Sequence, residues 1–238
     1  MYSNLTENTI FKDRTDAEAR ASALTLQRWG GLASFLMAVA LIAAGLIYLM
    51  GNLRDALGSL SYAFADFLYG PVWAASLVTA VGALRERIGK HAPQRMTLAL
   101  LAALVAAGAM VGVACIRSAN RHYHLIHPEL HLDMSTPVLV VWTTLVAGVI
   151  ATGWHFLGWA WVLVGSAGWT SRRLPRVLSV LYLVAGTGSL FVYVLPDIEV
   201  NVAALGVVVS IWQGILLWQA ESGETHAPEQ IASQPDPT

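Results

Sequence analysis

Residues 31–50 read GLASFLMAVALIAAGLIYLM, twenty positions without an Asp, Glu, Lys, Arg or His. A hydrocarbon layer about 30 Å thick is crossed by about 20 apolar residues of α-helix, because a helix satisfies its own backbone polar groups where no water can. The pattern recurs: Leu60–Leu84, Met96–Ile116, Pro137–Trp169, Val177–Leu195 and Asn201–Trp218 meet or approach that length. The sequence therefore predicts an all-α fold, a polytopic membrane helical bundle with six transmembrane helices.

Composition agrees. Of 238 residues, 56% are hydrophobic and 12% charged, where a soluble domain carries about 25% charged residues. A net charge of −1 and the lack of any basic run exclude a nucleic-acid partner. The single cysteine, Cys115, excludes an internal disulfide and reads as a small core residue near the end of the third span. Both lysines, Lys12 and Lys90, lie outside the spans, so no amine stands in the bilayer to form a retinal Schiff base. The first thirty residues are polar and mixed in charge rather than signal-like, so the first span is expected to direct insertion itself.

Three regions follow. Residues 1–30 form a cytoplasmic arm with a short amphipathic helix, opened by a Thr15/Glu18 capping box. Residues 31–219 form the six-helix domain, including a histidine-rich outer loop at 117–136. Residues 220–238, polar and Pro-containing, read as a disordered cytoplasmic tail. Lys and Arg concentrate in cytoplasmic segments. Eleven of them fall in the arm and in the loops after spans 2 and 4, against three (Arg54, Arg117, Arg121) in the alternate set. The expected location is the plasma (inner) membrane, multi-pass, with both termini cytoplasmic and the lipid bilayer as first partner.

The fourth span is the longest. From Pro137 to Trp169 it covers 33 residues, roughly 50 Å of helix. Thr136 is suited to cap it and Pro137 to occupy its first position. It either projects beyond the lipid or tilts and bends near Gly148 and Gly153.

Asp66 is the only acid inside a span, and an intramembrane charge is a functional candidate by default. Tyr62, Asp66, Tyr69, Trp73, Ser76 and Ala80 recur at helical spacing, so the three aromatics are candidates to line a polar site around it. A structural role is the alternative, with Asp66 reaching interfacial water or tyrosine hydroxyls. His155 is the only histidine in a span, on a stripe with Gly148, Ala151, Gly158, Val162 and Gly165 that admits a closely packed helix. Counted from the basic ends of their spans, Asp66 lies about 27 Å and His155 about 21 Å up, so a buried Asp66–His155 pair is geometrically open. Its alternative is a neutral histidine bonded to a backbone carbonyl.

RHYHLIHPELHLD (121–133) holds four of the seven histidines. His124, His127 and His131 would share a helical face, but Pro128 disfavours helix at His127. The expected shape is extended through His127, with His122 and His124 on one side. Zinc or copper needs three or four converging ligands. His122, His124, His127 and His131 are therefore a minor metal-site candidate beside a solvated outer loop. VLVGSAGW (162–169) is similar to the GxSG motif of rhomboid proteases. Its serine is misplaced, however, and the last span has no histidine base.

GWHFLGWAWVLVGSAGWTSRRLPRVLSVLYLVAGTGSLFVYVLP (153–196) runs from a long helix through a small-residue stretch and a basic Arg-Leu-Pro turn into a glycine-containing span. With QRWGGLASFLMAVALIAAGLIYL (27–49), it resembles a bacterial six-span integral membrane protein family catalogued only as a domain of unknown function. The resemblance covers about residues 25–218 and implies six helices, with no catalytic residues to carry over. Three functional readings remain. The first is a protein without assignable catalysis and without a cofactor, which senses, binds or scaffolds at the outer membrane face, with a protein partner or a second copy. The second is a small-solute or proton-coupled transporter using Asp66 and His155, and the third a membrane enzyme with an outer-facing metal site.

Overall fold

A computed structural model describes the backbone of residues 3–54, 59–126 and 136–219. Side chains are described from residue 21 onward, except near the breaks. Every regular element among the described residues is helical: α1 (Ser3–Arg54), α2 (Ser59–Phe67), α3 (Trp73–Ile88), α4 (Pro93–Ile126), α5 (Thr136–Ser171), α6 (Arg176–Phe191) and α7 (Glu199–Gln219). One π-helical stretch, Leu68–Val72, joins α2 to α3, and one 3-10 turn, Pro196–Ile198, leads into α7. Neighbours in the chain are neighbours in space. α1 packs on α3, α3 on α4, α4 on α5, α5 on α6 and α6 on α7, and α7 returns to α1, closing a ring.

Glycines set how closely the ring closes. A Cβ at Gly158 would stand 2.8 Å from the Gly186 carbonyl oxygen, and one at Gly165 would stand 2.8 Å from that of Ser179. α5 and α6 therefore touch backbone to backbone along the expected small-residue stripe. Gly31 and Gly214 bring α1 and α7 together where the ring closes. Inside lie Met37, Trp73, Leu77, Leu157, Trp161 and Tyr182, all nearly inaccessible. A buried polar link crosses this core. The Tyr182 hydroxyl donates to Gln213 Oε1, and Gln213 Nε2 donates to the Ala80 carbonyl at 3.1 Å, tying α6, α7 and α3.

The exterior carries many large apolar side chains. Leu32, Val39, Leu46, Leu101, Val141 and Val184 are all exposed, whereas water-facing surfaces of monomers rarely carry contiguous apolar patches beyond a few hundred Å². Among the described residues, five helical stretches are long and apolar enough to cross a membrane, and α6 is a shorter apolar helix.

Several helix ends differ from the sequence expectation. α1 is a single helix of 52 residues, continuous through the Thr15/Glu18 position where a separate short helix was expected. α4 does not stop at Ile116 but runs to Ile126, so the first ten residues of the expected outer loop are helical. α5 is one unbroken helix of 36 residues. α6 ends at Phe191 after 16 residues, short of the expected Leu195, because the chain turns toward Pro196. Cys115 is exposed rather than in the core. The tail 220–238 lies outside the described residues.

Candidate functional site

Asp66 is the penultimate residue of α2, two positions before the π-helical stretch begins. Pro71 causes that stretch: it has no backbone N–H and its ring clashes with the preceding turn, so the helix widens locally rather than breaking. Gly70 faces α4 there, and a Cβ on it would stand 2.4 Å from the Ala114 methyl carbon. The close approach sets Asp66 beside the next turn of α4, where Arg117 and Arg121 follow Ala114 at helical spacing.

The carboxylate is 2% exposed, and each of its oxygens faces a guanidinium. Oδ1 accepts from the Tyr48 hydroxyl of α1 and from Arg117 Nη1 at 3.2 Å. Arg121 Nη2 lies 2.5 Å from Oδ2, an ion pair without the alignment of a hydrogen bond. Arg117 also donates to the Tyr48 oxygen at 2.9 Å, with its guanidinium 5.5 Å from the centre of that ring. Tyr62 packs on Tyr48 at 5.9 Å between centroids. Three helices, α1, α2 and α4, thus meet on one buried acid, and two guanidiniums against one carboxylate leave a net positive charge.

Arg117 carries this cluster to the wall of a cavity of about 790 Å³. Its wall is mostly aliphatic, from Leu41, Leu46 and Leu49 on α1 to Val200, Ala203 and Val207 on α7. Polar groups gather at one end: Tyr48, Arg117, Tyr69 and Glu199. Glu199, in the first turn of α7, is held by Trp154 Nε1 at 3.0 Å. The cavity exists because α1 and α7 meet at Gly31 and Gly214 and diverge toward Gly45, which has no atom within 4 Å of a Cβ built there. Eight residues separate Leu41 from Leu49, and eight separate Glu199 from Val207, so the crevice is about 12 Å deep. Beyond it Ser34, Met37 and Ala38 are buried and Gly214 lies against the Phe35 ring.

The other sequence candidates separate. No hydrogen bond or ion pair joins Asp66 to His155, because each is engaged elsewhere. His155 Nε2 accepts from Trp159 Nε1 at 3.2 Å, and its ring packs edge-on against Phe156, Trp159 and Tyr193. This is neither the acid pair nor the backbone-carbonyl bond weighed for it. Tyr69 lines the cavity and stacks on Trp73 at 6.3 Å, while Trp73 is buried with its indole N–H unpartnered.

His122 and His124 both fall on α4, so this part of the expected extended stretch is helical. His127 and His131 lie outside the described residues, as does the His124 side chain. Among the described residues no three His, Cys, Asp or Glu side chains gather as a metal-binding group.

Sequence reasoning missed Tyr48, Arg117, Arg121 and Glu199. Arg117 and Arg121 stand at i and i+4, the spacing of one helical face. Ending the third span at Ile116 hid it. Glu199 falls in the short acidic segment PDIEVN (196–201) between the last two apolar stretches, where nothing in the sequence marks it as a site residue. No protein-family model, curated protein or solved structure matches the chain.

Proposed function

We propose that the chain crosses the plasma membrane six times with both termini inside, and that it is a binding protein for an amphiphile held between α1 and α7. The polar end of that ligand meets Tyr48, Arg117 and Glu199 near the outer face, and its apolar part lies along Leu41–Leu49 and Ala203–Val207. The observation that carries this reading is the division of one cavity into a charged end and an aliphatic body. Binding sites of this kind are largely apolar, with a few placed polar groups that orient the ligand. Exposed Ile42, Leu46 and Val200 flank the crevice, so a ligand can enter sideways from the lipid.

Transport using Asp66 and His155 has less support. Those residues have separate partners, and the crevice closes where α1 and α7 meet, a form suited to holding rather than passing a ligand.

Gly45→Phe tests the binding reading, because that position opens on empty space and a ring there fills the crevice without meeting backbone. Organic extracts of the detergent-purified wild type are expected to contain one amphiphile per chain by mass spectrometry, falling at least tenfold in the variant while its melting midpoint is kept. Equal ligand content in both proteins would overturn the reading.

A further inference from the structure

The bundle has a second amphipathic notch, at the end opposite Asp66. α5 ends at Ser171, and Arg172 then turns the chain with φ of 56°, a left-handed conformation that L residues seldom adopt. Leu174 folds back onto Gly168, where a Cβ would lie 2.5 Å from it. The turn brings Arg173 to the α3–α4 connection, with Nη2 3.3 Å from His91 Nε2. Arginine can only donate, so that histidine nitrogen accepts. On the other side Arg95, in the first turn of α4, donates to Thr170 Oγ1 at 3.1 Å and to the Ser166 carbonyl at 3.3 Å.

Two recesses share Arg95 and Thr170. One, of about 290 Å³, is lined by His91, Gln94, Arg95 and Thr170. The other, of about 530 Å³, runs from Arg95 and Thr170 over Trp169, Val180 and Leu183. Across residues 85–95 and 172–176, seven Arg and Lys stand against one acid, Glu86. A polar recess in a basic region thus shares the Arg95 and Thr170 wall with a largely apolar one.

We propose that this notch binds one anionic phospholipid, its phosphodiester between His91, Arg95 and Arg173 and one acyl chain over Trp169, Val180 and Leu183. The inference rests on the membrane-spanning reading, which places this end at the inner leaflet. Guanidinium groups bind phosphate oxygens through short charge-assisted hydrogen bonds. Basic pockets between cytoplasmic helix ends suit lipid phosphates for the same reason. Arg95 and Arg173 are already braced, by Thr170 and His91, so little side-chain freedom is lost on binding. The apolar half distinguishes a lipid from a free phosphate: Trp169 and Val180 are exposed along it and are covered by an acyl chain.

The test is native mass spectrometry of the full chain released from micelles doped with phosphatidylglycerol or phosphatidylcholine. The wild type is expected to retain one phosphatidylglycerol with at least tenfold preference. Arg95→Gln with Arg173→Gln should reduce the preference below threefold, and so should Val180→Trp, which fills the apolar half at an exposed position. Arg85→Gln with Lys90→Gln removes the same charge from exposed positions outside the notch and should leave the preference intact. Equal loss in this control, full preference in the notch variants, or displacement of the lipid by millimolar inorganic phosphate would overturn the proposal. Retention of the wild type in membranes after an alkaline carbonate wash checks the spanning reading separately. A retained protein without lipid preference overturns the lipid site alone.

Discussion

Replacing Asp66 by Asn tests whether this buried acid organises its end of the bundle. Asparagine keeps the size and the acceptor for the Tyr48 hydroxyl, so the change isolates the charge. Asp66 is 2% exposed, while its partners Arg117 and Arg121 are 27% and 21% exposed. Two unit charges at 4 Å attract by about 4 kcal/mol at an effective dielectric constant of about 20. Removing one member of a buried pair costs about 3–5 kcal/mol, because the remaining charge stays buried without compensation. Partial exposure of both guanidiniums screens this, so the expected loss is about 2–3 kcal/mol. For a chain of this size each kcal/mol lowers the melting midpoint by about 2–4 °C, giving an expected fall of about 4–12 °C. The assay is intrinsic tryptophan fluorescence on detergent-purified protein at one fixed scan rate, since an irreversible melt gives a midpoint that depends on scan rate. Arg121→Gln in the Asp66→Asn background should cost less than Arg121→Gln alone, because residues in direct contact are energetically coupled. A midpoint within about 1 °C of wild type, or strict additivity of the two changes, would refute the argument.

Gln213→Ala removes the acceptor of the Tyr182 hydroxyl and the side-chain donor to the Ala80 carbonyl, and is expected to cost about 1–2 kcal/mol by the same melt. Adding Tyr182→Phe should recover part of that loss, and no recovery would mean that the link is not what holds α6 to α7. For topology, Lys90→Cys and Asp197→Cys are introduced singly after Cys115→Ala removes the exposed native thiol. A membrane-impermeant maleimide on intact cells is expected to label Asp197→Cys and to reach Lys90→Cys only after permeabilisation. The opposite pattern would invert the proposed orientation.

The helical character and its apolar rods were legible in the chain because composition over some twenty residues decides them, whatever the neighbours. The glycine stripe on α5 was legible too, though not that α6 would fill it. The site was only partly legible. Asp66 stood out as a lone acid in an apolar run, and its aromatic companions followed from helical spacing. Its real partners did not, because the third apolar stretch loses hydropathy at Arg117 while the backbone continues helical for another two turns or more. Hydropathy reports where side chains partition, not where hydrogen bonding along a helix stops.

Taken alone, the amino-acid sequence determined the all-helical class, the apolar surface and the uneven distribution of basic residues. These are sums over local residues, and burial of apolar surface does not depend on which partner covers it. Only the tertiary structure decided that Asp66 meets Tyr48, Arg117 and Arg121 while His155 meets Trp159 and Tyr193, and that α1 and α7 part to leave a crevice. Those outcomes depend on distances of a few ångströms between helices far apart in sequence. They follow from the ring order, the π-helical turn at Pro71 and the glycines that let particular backbones touch.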